Sequence, residues 1–180
     1  MVHYHNYSLT PQEYASADMK SIVPVYNVCL NPDCRAVDRL YRHGYRERYA
    51  IIGYLVILIL ICRVKCRHCK KAFTILPSFL LKKFQHTAAN IISFLKDFFE
   101  DKYSCAYRQL LYFYRKKFLS NINLFEMFFR DAGIREVLPG SVKEKAMRLI
   151  ELILSQGVEN FHQKFLTRFG KHFMTHNFAN

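Results

Sequence analysis

Glycine and proline are scarce in this chain, six and five in 180 residues, and acids are outnumbered, with 14 Asp and Glu against 27 Lys and Arg. So few glycines leave no Gly-rich loop of the kind that cradles nucleotide phosphates. No apolar run reaches the ~20 residues of a membrane-spanning helix, and the longest, Ile51 to Cys62, is broken by Gly53. Met1 to Asn6 is polar and carries His3 and His5, so no secretory leader and no membrane association are expected. The acids Asp97, Glu100, Asp101, Glu126 and Asp131 fall on solvent faces of a helical pattern. No run of strands is left there to hold the converging carboxylates of a two-metal nuclease. With no Ser, His and Asp nucleophile motif either, the chain reads as lacking its own catalytic centre.

What is present is a folding composition with a strong positive charge. Hydrophobic residues make up 51% and aromatics 16%, enough to bury a core and unlike a disordered basic tail. The length fits one or two domains. A net charge of +13 and a pI near 9.6 favour a polyanionic partner. That charge is local. Residues 35–83 carry +10, from twelve bases against only Asp38 and Glu47, while residues 1–34 sum to −2.

The run IIGYLVILILIC is rich in Val and Ile, which predicts two strands, Tyr45 to Ile52 and Leu55 to Val64, with Gly53 in a turn or bulge between them. Two outcomes are open for this ribbon: a buried core strand, or a strand with one face covered by another chain. From His86 the period changes to about 3.6. Ile91, Ile92, Leu95, Phe98 and Phe99 mark one helix. Ala106, Leu110, Phe113, Tyr114 and Phe118 mark a second, and Leu124, Phe125, Phe128 and Phe129 a third, which Gly133 can end. Ser141 and Glu144 have capping-box spacing ahead of a stripe of Met147, Ile150 and Leu154 that Gly157 closes, and a last helix covers Val158 to Phe169. The Phe stripes read as core.

The six cysteines are Cys29, Cys34, Cys62, Cys66, Cys69 and Cys105. In the reducing, cytoplasmic setting expected here, paired cysteines read as metal ligands before they read as disulfides. Cys29 with Cys34 and Cys66 with Cys69 each place two thiolates on a short turn, and zinc needs four donors at tetrahedral corners. The expectation is a structural Zn²⁺ held by Cys29, Cys34, Cys66 and Cys69, with a disulfide or redox CxxC as the alternative. His43 and His68 are substitute ligands. Cys62 is read as a core thiol, and Cys105 as buried on a helix.

A Cys pair, then RHGYRER (Arg42 to Arg48), RVKCRHCKKAF (Arg63 to Phe73) and LPSFLLKKF (Leu76 to Phe84) follow one another. This order resembles the N-terminal zinc-ribbon region of bacterial transposases and transposon-associated proteins. It covers best Cys29 to Phe84, and Lys70 stands where that family's knuckle usually has glycine. The resemblance implies DNA binding tied to a transposon, a helix-turn-helix in the helical part, and a transposase or recombinase partner.

The residues make their own case for nucleic acid. Arg42, Arg46, Arg48, Arg63, Lys65, Arg67, Lys70, Lys71, Lys82 and Lys83, interleaved with Tyr41, Tyr45 and Tyr49, can neutralise phosphates. Arg108, Tyr112, Arg115 and Lys116 share one helix face that can enter a major groove. The expected architecture is α+β: an N-terminal extension (1–28), a small antiparallel zinc ribbon (29–84) and a helical domain with a helix-turn-helix (85–180). The expected function is zinc-dependent DNA binding, with a homodimer among the partners considered. The alternatives are a protein–protein adaptor or RNA binding through the ribbon's aromatics.

Overall fold

The apolar run turns back on itself at Gly53 and Tyr54, and this hairpin organises the N-terminal half of the chain. In the computed structural model, which describes residues 1–104 and 106–175, the chain divides into two compact units between Thr87 and Ala88. Cys105, expected on a helix, lies outside the described residues.

The first unit runs β1 (Val2–His5), α1 (Pro11–Ser16), α2 (Met19–Ile22), β2 (Leu40–Ile52), β3 (Leu55–Cys66) and β4 (Ala72–Pro77). Both hairpin strands are longer than the apolar pattern predicts, because β2 continues into the arginine-rich stretch. Long charged side chains are accommodated there on half-solvated strand faces. The register runs from Ile52 opposite Leu55 to Leu40 opposite Cys66, and it slips by one residue at His43. Gly44, at φ +117°, follows that slip. This is a conformation a side chain would strain, so glycine is placed where the bulge needs it.

The sheet has the order β1-β4-β3-β2. It is mixed, which corrects the expectation of an antiparallel ribbon: β1 pairs with β4 in parallel, Val2 opposite Thr74 through His5 opposite Pro77. The segment read from sequence as an extension therefore supplies an edge strand. Four residues are too few for alternation to announce a strand. Thr10 and Glu13 form a reciprocal capping box at the start of α1. From that helix, the buried Tyr14 donates its hydroxyl to the Leu60 carbonyl, 2.9 Å away, beside β3. On β2, the Ile51 N–H donates to the Gln85 carbonyl at 2.9 Å and the Ile51 carbonyl accepts from the Thr87 N–H at 3.1 Å.

Two apolar clusters follow from this register. Tyr14, Ala50, Ile59, Ile61, Leu76, Phe79 and Leu80 form one. Cys29, Cys62, Val64, Cys66, Phe73 and Ile75 form the other. Of the two outcomes open for the apolar run, a fully buried strand does not hold: it is half buried. Ile59 and Ile61 are 1% exposed, whereas Val56, Leu58 and Leu60 are 56%, 50% and 37% exposed, because alternate residues point to opposite faces.

The second unit contains α3 (Ala88–Phe99), α4 (Arg108–Leu119), α5 (Ile122–Asp131), α6 (Val142–Gln156) and α7 (Val158–Phe169). Its core is aromatic: Phe118 meets Phe125 at 4.6 Å between ring centroids, and Phe129 stacks on Phe161 at 5.8 Å. Three expectations need correction. Phe113 is 46% exposed, since α4 buries Tyr114 and Phe118 instead. Leu154 is 40% exposed, since the buried stripe of α6 is Ala146, Leu149, Ile150 and Ile153. Ser141 precedes α6 but its side chain makes no capping hydrogen bond. Among the described residues no helix is long and apolar enough to cross a membrane.

Candidate metal centre and basic face

Cys29 and Cys34 lie on the loop before β2, Cys66 ends β3, and Cys69 lies in the turn to β4. The fold brings these four sulfurs together, each within 4.8 Å of the others. Cys29 Sγ is 3.7 Å from Cys69 Sγ, and Cys34 Sγ is 4.0 Å from Cys66 Sγ. A tetrahedral ion with bonds of about 2.3 Å to sulfur sets its ligands about 3.8 Å apart. The quartet therefore fits a metal ion, and four protein donors leave no open corner for substrate.

Local hydrogen bonds shape both turns. The Cys29 N–H donates to the Ala36 carbonyl at 3.0 Å, and the Asn31 carbonyl accepts from the N–H groups of Cys34 and Arg35 at 3.0 and 3.2 Å. In the second turn the Cys66 carbonyl accepts from Lys70 N–H and the Cys66 N–H donates to the Lys71 carbonyl, both at 3.0 Å. The residue after the second cysteine of each pair is left-handed, Arg35 at φ +43° and Lys70 at φ +61°. The two turns thus repeat one design, and Lys70 occupies a backbone state that suits glycine. Lys71 ties the turns together: its Nζ donates to Asn31 Oδ1 at 3.2 Å and lies 4.0 Å from Asp33.

Burial pushes the Cys29 thiol up to about 12. At Cys66 burial also acts upward, but the backbone N–H groups of Cys69 and His68 oppose it and bring the thiol down to about 7. His68 Nδ1 lies 3.4 Å from Cys34 Sγ, beside the quartet rather than in it. His43 is exposed at the bulge with its ring near Tyr41. Cys62 is buried on the same strand face as Cys66 but stays outside the quartet, and burial raises its thiol.

The predicted basic residues separate by face. Pairing places Arg46, Arg48, Arg63 and Lys65 on one side of the hairpin and Arg42 on the other. Arg46, Arg48, Lys82 and Lys83 line a trough of about 470 Å³ with Val2, Tyr49, Ile61, Thr74 and Leu76, and its one acid is Glu47. Arg48 is half-buried and donates to the carbonyls of Leu81 and Phe84. Burial lowers its pKa from the ordinary arginine value, and Arg46 nearby acts in the same direction. The Tyr4 hydroxyl accepts from the Lys82 N–H at 2.9 Å. These bonds fix the turn that presents Lys82 and Lys83 at the trough. Arg67 lies over the Tyr41 ring at 5.4 Å and Arg42 donates to the Tyr45 hydroxyl at 3.0 Å.

Within residues 35–83, Lys71 alone among the described bases has a carboxylate within 4.0 Å. The helical unit behaves differently. Lys96 and Lys102 pair with Glu100, Lys143 with Asp101, Lys145 with Glu126, Arg148 with Glu136 and Glu151, and Arg168 with Asp131. No carboxylate lies within 4.0 Å of Arg130, Arg135 or Lys164 among the described residues, nor of any base on α4. Its Arg108 donates to the Tyr112 hydroxyl at 3.4 Å, Arg115 lies over the Phe98 ring, and Lys116 is exposed.

Sequence reasoning missed Asn31, whose side chain bridges the cysteine turns, and the β1 residues Val2 and Tyr4 beside the trough. Only Asn31 gives a local hint, as an Asn-Pro inside a cysteine pair, a turn-forming dipeptide. No protein-family model, curated protein or solved structure matches the chain.

Proposed function

We propose that this is a zinc-pinned nucleic-acid-binding protein without its own catalytic centre, acting on DNA and tied to a mobile element. The observation that carries the reading is the contrast in ion pairing. Bases that only decorate a solvated surface find acids, as those of α6 do. Within residues 35–83, by contrast, only Lys71 has a carboxylate within 4.0 Å, and Arg46, Arg48, Lys82 and Lys83 gather around a trough whose one acid is Glu47. Such a face gains most from phosphates, whose neutralisation releases counterions. Zinc is favoured for the quartet because four thiolates at tetrahedral spacing suit a structural Zn²⁺.

Within the sheet unit, the two cysteine turns and the hairpin between them support the zinc-ribbon reading. In the helical unit, α4 is the element proposed to lie against the duplex. It carries Arg108, Arg115, Lys116 and Lys117 with no acid, and only Ser120 and Asn121 separate it from α5, the short connection a helix-turn-helix uses. The transposon link, with a transposase or recombinase partner, rests on the resemblance of Cys29 to Phe84 alone.

The test pairs elemental analysis with fluorescence anisotropy on duplex DNA, single-stranded DNA and RNA of equal length across a salt series. The expected result is one zinc per chain, duplex binding that weakens steeply with salt, and a shallower salt slope in Arg46→Glu and Lys82→Glu, by roughly one for each phosphate no longer neutralised. Equal binding by the wild type and both charge reversals would remove the basis for the reading. Tighter binding of RNA than of duplex would replace DNA with RNA in it.

A further inference from the structure

One face of the hairpin is apolar and uncovered. Tyr49 opposite Leu58, and Ile51 opposite Val56, share that face with Leu60. Tyr54, in the turn at the tip, is 82% exposed, and Tyr49 and Leu58 are each 50% exposed. From their fractional exposures, Tyr49, Val56, Leu58 and Leu60 present roughly 400 Å² together and Tyr54 at the tip about 200 Å² more, against about 300–600 Å² for the largest patch on a lone soluble protein. A standard protein–protein interface buries about 800 Å² per partner, so this face supplies about half of one side of such an interface, and more where the tip takes part.

Charge on the hairpin is divided in a way that selects the occupant. A chain of +13 repels its own copies wherever its bases face each other. Here Arg46, Arg48, Arg63 and Lys65 are all on the opposite side of the hairpin. On the apolar side the charge nearest the patch is Glu47, paired with Leu60, and the next base along, Arg42, is bonded to the Tyr45 hydroxyl. Two copies meeting through this face keep Arg46, Arg48, Arg63 and Lys65 on their outer sides, with Tyr49 and Glu47 at the rim where the face meets the trough. A nucleic acid, by contrast, finds no cation among these five residues.

We propose that the apolar face of β2 and β3 is a homodimer interface, in which the hairpins of two copies pack face to face about a two-fold axis. A symmetric contact uses the same patch on both chains, so every substitution in it counts twice. The dimer carries two outward basic troughs. The proposal does not depend on the nucleic-acid reading.

The experiment is sedimentation equilibrium on nuclease-treated full-length protein, in salt high enough to strip nucleic acid, over a wide concentration range. Wild type should reach twice the 21.4 kDa chain mass. Leu58→Glu should weaken dimerisation by about 100-fold or more, since removing one leucine from the interface costs about tenfold and the symmetry doubles it. Both Leu58 and Tyr49 are half exposed, so circular dichroism and metal content should stay unchanged. Tyr49→Glu provides an independent second variant, and Arg46→Glu on the opposite face should dimerise as wild type does. A wild-type monomer at every concentration overturns the proposal. So does a dimer that survives both Leu58→Glu and Tyr49→Glu, which would place the contact elsewhere, such as along the outer edge of β2.

Discussion

Removing one thiolate from the quartet should release the stretch between α2 and β2 before any other part of the sheet unit. That stretch, residues 23–39, holds no helix or strand and is closed by the single bridge between Val28 and Val37. Ordering it costs about 17 kcal/mol at roughly 1 kcal/mol per residue. The buried Cys29 with the partly buried Val23, Tyr26 and Leu30 contributes about 5 kcal/mol in the other direction. The remaining ~12 kcal/mol lies within the ~10–16 kcal/mol of a structural zinc site. In Cys69→Ser, or in wild type treated with chelator and reductant, metal content should fall. Amide hydrogen exchange should then accelerate at Cys29, Cys34 and Arg35, whose N–H groups bond to Ala36 and Asn31. Ile59 and Ile61, in the middle of the hairpin, should stay protected. Metal-free, reduced protein in which those loop amides remain as protected as in the loaded form would refute the reasoning.

Other perturbations test separate parts of the structure. Lys70→Gly should raise the stability of the metal-loaded protein by about 1 kcal/mol, since a side chain at φ +61° is strained; denaturant unfolding measures this, and a decrease would contradict the knuckle geometry. Thr10→Ala removes the side chain that caps α1 and should cost about 1 kcal/mol in the same assay. Burial pushes the hydroxyls of Tyr4, Tyr14 and Tyr26 up to about 12, and that of Tyr7 upward as well. The folded sheet unit therefore holds protons that the unfolded chain releases from about pH 10, and stability should fall as pH rises from about 10 to 12. Phenolate absorbance followed together with circular dichroism would show it; ordinary titration of all tyrosines in a fully native protein would contradict it.

The metal quartet was legible because each cysteine pair is local and its spacing alone sets two thiolates on one turn. Lys70 could be noticed in the sequence as a lysine in a glycine's place, but the left-handed backbone that explains it is seen only in the fold. The helices announced themselves through a 3.6-residue period, and α7 begins and ends at the expected residues, Val158 and Phe169. Phase was less legible than period. The stripe on α6 is rotated toward Leu149 and Ile153, and Phe113 points outward, because neighbouring helices select which of several apolar positions face the core.

Composition and order along the chain determined that this protein is α+β, that its charge is concentrated in residues 35–83, and that four cysteines can meet. These are properties of local spacing, which a one-dimensional reading captures. Tertiary structure decided which side of the hairpin is basic and which is apolar, since strand register assigns every second side chain to a face and His43 shifts that register by one. It also recruited β1 as a parallel strand and brought Lys82 and Lys83 over the sheet beside Arg46. Those contacts join residues some 30 to 70 positions apart, and only the packing of the complete sheet unit fixes them.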